Sequence, residues 1–130
     1  DAAQAVASEK WMAMLDVKAS SAVQPVGELS GGNQQKIALG RLLHHDARIL
    51  LLDEPTRGID VGAKYEIYTI INRLAAEGKA IVVISSELPE LLGICDRIYA
   101  LSEGRITGEM PVADATPEAL LKLMTLEKQR

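Results

Sequence analysis

The spacing of apolar residues predicts two helices in the first third of the chain. Residues 1–15 are rich in alanine, glutamate, lysine and methionine, which are good helix formers, so we expect a first helix there. Residues 16–29 mix serines, a proline and a glycine with isolated valines, the composition of an irregular connection. Ser30 then has the chemistry of an N-cap, and apolar residues follow it at helical spacing until residues 44–46. These apolar positions are Ile37, Ala38, Leu42 and Leu43.

A strand, a helix and a second strand follow, which is the order of a βαβ unit. Residues 49–52 form an apolar run without alternation, as expected for a strand buried on both faces of a parallel sheet. Apolar residues at spacings of four and three then predict a helix, with Gly78 as its C′ residue. Residues 80–84 form the second apolar run. The apolar helix positions are Ile67, Ile71 and Leu74.

The last part of the chain predicts a short helix, a hairpin and a final helix. The short helix follows two serines and is expected to end before Gly93. Residues 97–101 and 105–109 flank a Ser-Glu-Gly loop, so the sheet is expected to end in an antiparallel hairpin. A Thr-Pro pair at residues 116–117 is suited to cap and start the final helix. This order predicts an α/β fold with a mostly parallel sheet flanked by helices and a C-terminal antiparallel hairpin.

The composition narrows the class of protein. With 130 residues the chain has room for one ordinary domain or part of one. Hydrophobic residues make up 48% and charged residues 25%, which excludes an intrinsically disordered chain. The apolar runs are far shorter than the roughly 20 residues that span a bilayer. The single cysteine, Cys95, excludes an intrachain disulfide, and no export signal is visible, so we expect a cytoplasmic, reducing location.

The charge balance bears on the choice of partner. The formal net charge is -4, and the aromatic residues are one tryptophan and three tyrosines. A surface that neutralises phosphates or stacks on bases needs basic and aromatic side chains in excess. The composition therefore argues against nucleic acid as the main partner.

The sequence LSGGNQQK, residues 29–36, places a serine and two glycines at the start of a helix. The first amides of a helix lack internal partners, the helix dipole favours negative charge there, and glycines let backbone N–H groups approach a phosphate closely. Ser30, Gly31 and Gly32 therefore form a candidate anion site. An ordinary capped helix after a glycine turn explains the same three residues, and both interpretations stay open at this point.

The sequence LLLDEPT, residues 50–56, brings two adjacent carboxylates to the end of a strand, where ligands of open α/β sheets bind. Asp53 is a candidate ligand of Mg²⁺, directly or through water, because this hard cation prefers carboxylate and phosphate oxygens. Glu54 is a candidate to orient or deprotonate an attacking water, a role worth about 10²- to 10⁴-fold in rate. Acidic pairs also end strands and cap turns without any catalytic role, and that alternative is equally open.

The combination of these motifs, in this order, resembles the ATP-binding cassette ATPases. In this resemblance, residues 29–34 match the signature motif, residues 50–54 the Walker B motif and residues 58–60 the D-loop. The segments TRGIDVGAK and SSELPELLG are similar to segments of the second cassette in the tandem ATPases of bacterial monosaccharide importers, of the ribose, xylose and galactose type. The resemblance covers nearly the whole chain.

The resemblance implies a P-loop NTPase-like fold, of which this chain is expected to be a fragment. Residues 1–46 would be part of the helical subdomain that ends in the signature helix, and residues 47–130 the C-terminal part of the ATPase core. The implied cofactors are ATP and Mg²⁺. The implied partners are a second ATP-binding cassette (a tandem half or a homodimer copy), membrane permease subunits and, indirectly, a periplasmic sugar-binding protein. The implied location is the cytoplasmic face of the bacterial inner membrane.

The resemblance also implies roles for single residues. Cassettes pair head to tail, so four residues of the signature are expected to contact ATP held by the partner cassette. Asp60 would connect the two sites, although an aspartate in a glycine-containing loop is also a common turn former. Ser86 stands where most cassettes have a switch histidine, and a hydroxyl offers no imidazole, so the chain's own site is expected to be impaired. The four signature residues are Ser30, Gly31, Gly32 and Gln34.

Two expected motifs are missing from the chain. A cassette needs a GxxxxGK[ST] loop to hold the phosphates and a glutamine loop to couple to the membrane subunit, and neither is present. We therefore expect the chain alone to be inactive and the intact protein to be an ATPase that powers monosaccharide import. Two alternatives remain: a catalytically silent half that only donates its signature, and a cassette ATPase of DNA repair, against which the acidic charge balance speaks.

Overall fold

The structure, a computed structural model, describes residues 1–126 and divides the chain into two compact units. The first unit is Asp1–Ile84, and the second begins at Ser85. Within the described residues, no helix combines the length and the apolar character needed to cross a membrane. The expected subdomain division at residue 46 stays a prediction.

Three helices of the first unit begin at side chains that cap them. Asp1, Ser30 and Asp60 each accept a hydrogen bond from a backbone amide two or three residues later. Each bond satisfies an amide that has no partner inside its helix. The helices predicted for residues 1–15 and after Ser30 are thereby confirmed. Their bounds are α1, Ala2–Met14, and α2, Gly31–His44; α3 spans Val61–Ala76, and a short 3₁₀ helix covers Val26–Glu28.

The predicted βαβ unit is also confirmed. Strand β1, Ile49–Asp53, pairs in parallel with β2, Ala80–Ile84, and α3 connects them and packs against β2. The helix ends before Gly78, whose φ of +93° is the left-handed conformation expected at C′. The buried apolar side chains of the whole first compact unit, residues 1–84, are Leu15, Leu39, Leu43, Leu50, Leu52, Ile67, Ile70, Ile71 and Leu74.

The expectation that β1 is buried on both faces is wrong for this structure. Along β1 the side chains alternate, with Leu50 and Leu52 buried and the residues between them exposed. The helices of the unit cover one face of the two-stranded sheet, and the other face is left in contact with solvent. Four large apolar side chains of this open face are 51 to 70% exposed. They are Ile49, Leu51, Val82 and Ile84.

The second unit contains the predicted hairpin and final helix. Thr116 caps the helix by accepting a hydrogen bond from the Ala119 amide at 3.1 Å. Gly108 and Leu123 mark a close approach of helix to hairpin, because a Cβ added at Gly108 would lie 2.5 Å from Leu123 Cδ1. Leu120, on the same helix, is fully buried. The bounds are α4, Leu88–Ile94; β3, Arg97–Ser102; β4, Arg105–Pro111; a short 3₁₀ helix, Val112–Asp114; and α5, Pro117–Met124.

Two expectations for this unit are wrong in detail. The hairpin does not end the parallel sheet, because β3 and β4 form a two-stranded sheet of their own within the described residues. The short helix does not stop before Gly93 but continues to Ile94. The Cys95 amide donates to the Leu91 carbonyl at 3.1 Å and so closes one more turn, which includes the glycine.

Candidate functional site

The start of α2 is an exposed helix end built around Ser30. The Ser30 hydroxyl oxygen accepts hydrogen bonds from the Asn33 backbone amide at 3.3 Å and from the Asn33 side-chain amide at 2.9 Å. Gln34 Nε2 donates to the Leu29 carbonyl at 2.9 Å, which secures the chain just before the helix. A hydroxyl that accepts two bonds still has its proton to donate. Within residues 1–126 the Ser30 hydroxyl makes no other hydrogen bond, so its proton can be donated to an anionic ligand.

The two glycines of this helix end are needed for packing inside the chain. A Cβ added at Gly32 would lie 2.6 Å from the Cβ of Ala63, far inside the usual carbon–carbon contact of about 3.5–4.0 Å. A Cβ added at Gly31 would lie 3.0 Å from Ile59 Cγ2. The start of α2 therefore presses against the start of α3 and the loop before it. Gly32 is buried, whereas Gly31 is exposed and open to a ligand.

Asp60 lies at the neighbouring helix start. Its Oδ1 accepts from the Ala63 amide at 2.9 Å, so the carboxylate caps α3. Because Gly31 and Gly32 touch Ile59 and Ala63, the N-terminal ends of α2 and α3 lie side by side. Each end carries about half a positive charge from its helix dipole, and the Asp60 carboxylate offsets part of it. The structure thus brings Asp60 close to the signature residues; its expected link between paired sites stays a prediction.

Asp53 and Glu54 lie at the carboxyl end of β1. Asp53 is exposed and sits opposite Ile84 in the strand register. The Glu54 amide donates to the Ile84 carbonyl at 2.7 Å, and its φ of +47° is left-handed. A non-glycine residue held there costs about 1–3 kcal/mol, and such strain concentrates at functional sites. The chain therefore leaves the strand at Glu54 through a strained backbone conformation.

The cleft beside Asp53 does not extend to the Ser30–Gly32 helix start. Asp53 lines a small cleft of about 140 Å³ against the middle of α2, with Gln35, Leu42 and Pro55 among its walls. The Ser30–Gly32 helix start does not line this cleft. The acidic strand end therefore lies at a cleft that the serine and glycine helix end does not line.

The described residues contain no ready-made metal centre of three or more side chains. Within residues 1–126, no three side chains of the His, Cys, Asp or Glu type converge on a point where an ion could bind. Mg²⁺ is commonly held by one or two carboxylates together with phosphate oxygens of a nucleotide. The exposed Asp53 carboxylate fits that pattern, with the nucleotide supplying the other oxygens.

Ser86 belongs to the second unit, where its side chain is exposed. In sequence it comes two residues after the end of β2. Its expected position at the γ-phosphate, together with the expected effect of replacing a histidine, stays a prediction.

Lys36 is a buried residue one helical turn from Gly32, and the sequence interpretation missed its contacts. It is only 2% exposed, and its ammonium lies 2.6 Å from Glu66 Oε2 and 2.9 Å from the Asp16 carbonyl oxygen. The hydrogen bond and the positive charge of Lys36 lower the pKa of Glu66 below its ordinary value. A signal for Lys36 was present, since it lies on the buried face of α2 between Gly32 and Leu39, at helical spacing.

Comparison with known proteins assigns this region to a family. Residues 1–57 match the family described as ABC transporter, and this stretch contains Ser30, Lys36, Asp53 and Glu54. The predicted relation to the ATP-binding cassette proteins is therefore confirmed.

The proteins similar to this chain include curated import proteins. The chain is 60% identical over 120 residues to an L-arabinose transport ATP-binding protein of Geobacillus stearothermophilus, a match that covers 92% of the chain and 23% of that protein. It is 56% identical over 118 residues to a xylose import ATP-binding protein of Moorella thermoacetica, covering 91% of the chain and 23% of the relative. The chain thus spans less than a quarter of the length of these two relatives.

Solved structures share the fold. A nucleotide-free ATP-binding cassette from an ABC transporter superimposes with a TM-score of 0.81 at 22% identity, covering 98% of this chain and 52% of that one. A dimeric ATP-binding cassette bound to ADP and phosphate gives a TM-score of 0.71 at 25% identity, covering 82% of this chain and 46% of that one. The predicted ABC cassette fold is confirmed.

Proposed function

We propose that this chain is part of an ATP-hydrolysing subunit that powers the import of a monosaccharide through membrane permease subunits. The proposal is carried by the exposed helix end at Ser30, in a chain whose relatives are named as arabinose and xylose import proteins. A subunit of this kind would act at the cytoplasmic face of the membrane. Its sugar would be supplied by a periplasmic binding protein.

The helix end would serve a nucleotide held by a second cassette. The free proton of the Ser30 hydroxyl would donate to a terminal phosphate oxygen, and the Gly31 amide would add a second donor at the same helix end. Hydrogen bonds to an ionised acceptor are roughly twice as strong as neutral ones. The separation of Ser30 from the cleft at Asp53 supports this division, because each end of the chain would then complete a different nucleotide site.

The acidic strand end would belong to the chain's own site. Mg²⁺, when bound with ATP, would neutralise phosphate charge, and Asp53 is the side chain placed to hold it. Glu54 would accept the proton of a water that attacks the terminal phosphate, or would orient that water. Gln34 and Asp60 would act indirectly, by securing the two adjacent helix starts.

A second candidate function is a half that donates its signature but hydrolyses slowly or not at all. The sequence resemblance supports it, because Ser86 stands where most cassettes have a switch histidine. A hydroxyl neither carries the charge of an imidazolium nor shuttles a proton near neutral pH. If this second function is correct, the contribution of Ser30 to ATP turnover is much larger than that of Glu54.

The test is a chimera in which this chain replaces the matching stretch of the arabinose transport relative. Ser30→Arg should reduce ATP turnover by at least about tenfold, because it removes a donor to developing negative charge and blocks the helix end. Glu54→Gln should cost less if the chain's own site is impaired. Ser21→Arg, in the exposed connection before α2, is the matched control and should leave turnover unchanged.

The outcomes separate the candidates. Equal losses for Ser30→Arg and Glu54→Gln would contradict an impaired own site and favour two working sites. A chimera that folds and binds its permease but has no ATP turnover, or turnover that ignores Ser30→Arg, would overturn the proposed function.

A further inference from the structure

Lys36 is an unusual residue for the interior of a small unit. Its side chain is 2% exposed, whereas lysines are almost never fully buried unless they are paired. Moving an ammonium out of water is costly, and the cost is recovered only when charge and hydrogen bonds compensate it. The contacts of this ammonium therefore indicate what holds it in place.

The ammonium joins three elements of the first unit. Lys36 is on α2, and its Nζ lies 2.6 Å from Glu66 Oε2 on α3. The same Nζ donates at 2.9 Å to the carbonyl of Asp16, in the turn that follows α1. Asp16 has a φ of +52°, so the left-handed turn presents its carbonyl to the buried charge. One side chain thus fixes α2 against α3 and against the end of α1.

This contact lies one turn from the close contact at Gly32. Gly32 and Lys36 are four residues apart and therefore on the same face of α2, and Ala63 and Glu66 are three apart and on the same face of α3. Gly32 meets Ala63, and Lys36 meets Glu66, so the two helices run in the same direction along this seam. A glycine–alanine contact allows close approach but gives little directional constraint. The ion pair between Lys36 and Glu66 constrains the rotation of α2 about its own axis.

We infer that Lys36 is a positioning residue, which sets the rotation of α2 and thereby aims the Ser30–Gly32 helix end at its ligand. The inference about geometry stands on the contacts of the ammonium alone. Its consequence for nucleotide binding rests on the proposed function. Ser30 is six residues before Lys36, about 9 Å along the axis at 1.5 Å per residue, so a rotation at Lys36 is transmitted to the helix end.

Hydrogen exchange on the full chain tests the geometry without any nucleotide. Lys36→Met keeps most of the apolar stem but removes the charge and both bonds. The Asn33 amide donates to the Ser30 hydroxyl and the Gln34 amide to the Ser30 carbonyl. We expect both amides to exchange about tenfold faster in this variant, because loss of the pair opens the first turn of α2. Lys36→Arg keeps the charge and the donors and should stay within about threefold of the parent.

The chain offers a matched control in Lys79. Its Nζ donates to the Ala47 carbonyl at 2.8 Å, a bond of the same kind in the same unit but remote from the start of α2 in the sequence. Lys79→Met should lower stability without a selective effect at residues 33–34. If Lys36→Met speeds exchange equally throughout the unit, as Lys79→Met does, Lys36 is only a stabilising residue and the inference is wrong.

Two further measurements keep the inference testable. If Lys36→Met does not fold, Glu66→Gln should show the same selective exchange at reduced size, and its absence would overturn the inference. In the chimera, Lys36→Met should reduce turnover by about tenfold and Lys36→Arg should restore it, since misplacement of a donor group by about 1 Å costs up to 10²-fold. A chimera with no turnover at all refutes the proposed function, while the exchange result still decides on Lys36.

Discussion

Replacing Gly32 with alanine is the most direct perturbation of the candidate site. The added Cβ would lie 2.6 Å from the Cβ of Ala63, whereas carbon atoms in contact are about 3.5–4.0 Å apart. The helix starts must therefore separate by about 1 Å, because an alanine side chain is a single methyl group and cannot avoid the clash by changing its rotamer. The Ser30 hydroxyl, two residues away, would move with α2.

Two opposing effects determine the size of the change in stability. Inserting a methyl group into a packed contact costs about 1–3 kcal/mol. Alanine favours a helix over glycine by up to about 1 kcal/mol, and by less in the first turn, where Gly32 lies. The clash therefore wins, and we expect the Gly32→Ala variant to be less stable by about 1–2 kcal/mol.

Urea unfolding followed by tryptophan fluorescence measures this difference in the right part of the molecule. Trp11 is the only tryptophan of the chain and lies in the first unit, where its indole N–H donates to His44 on α2 at 3.1 Å. Gly27→Ala is the matched control, because a Cβ at Gly27 has no neighbour within 4 Å. Ala63→Gly in the Gly32→Ala background removes the opposing Cβ and should recover about 1 kcal/mol of coupling energy.

The reasoning would be refuted by either of two results. If Gly32→Ala and Gly27→Ala have the same urea midpoint, the close contact between α2 and α3 does not exist in solution. If Gly32→Ala is destabilised but Ala63→Gly does not compensate, the loss arises elsewhere and the seam is not its cause.

Two other predictions concern the open sheet face and the buried ion pair. Four apolar side chains of β1 and β2 face solvent, and among residues 1–126 each strand has one edge without a partner strand, so the chain alone should self-associate. Leu51→Lys should shift sedimentation towards monomer, and Val23→Lys should not. A parent chain that is monomeric at all concentrations would contradict the prediction. Because Lys36 lowers the pKa of Glu66, the pair stabilises the fold above the ordinary value of 4.5, and this stability is lost as the pH falls through the lowered pKa. The half-exposed carboxylate limits the effect, so Glu66→Gln should lower the unfolding free energy by about 1 kcal/mol at about pH 7. This difference should shrink as the pH falls below 4.5 and through the lowered pKa, and a difference independent of pH would count against the pair.

Local features of the fold were predictable because their causes lie within a few residues. Ser30 and Thr116 were identified as N-caps, since a hydroxyl next to the first turn satisfies amides that the helix leaves unpaired. The strand at residues 80–84 and the end of α3 at Gly78 were likewise correct. An apolar run and a left-handed glycine impose these features without help from the rest of the chain.

Contacts between distant residues were not predictable in the same way. The apolar run of β1 gave no sign that one face would be open, because burial depends on how many layers pack on the sheet and not on the strand itself. The glycines of the signature suggested an anion site, and the sequence did not reveal that Gly32 also accommodates Ala63.

Short stretches of sequence thus determined the chemical groups of the candidate site, which are a capped helix start and an acidic strand end. The fold decided how they are arranged. Asp53 lines a cleft that the Ser30–Gly32 helix start does not reach, and Lys36 contacts Glu66, 30 residues later in the chain. The physical reason is that caps and turns are satisfied by neighbouring backbone groups. A buried charge, by contrast, is stable only beside a partner that tertiary packing brings to it.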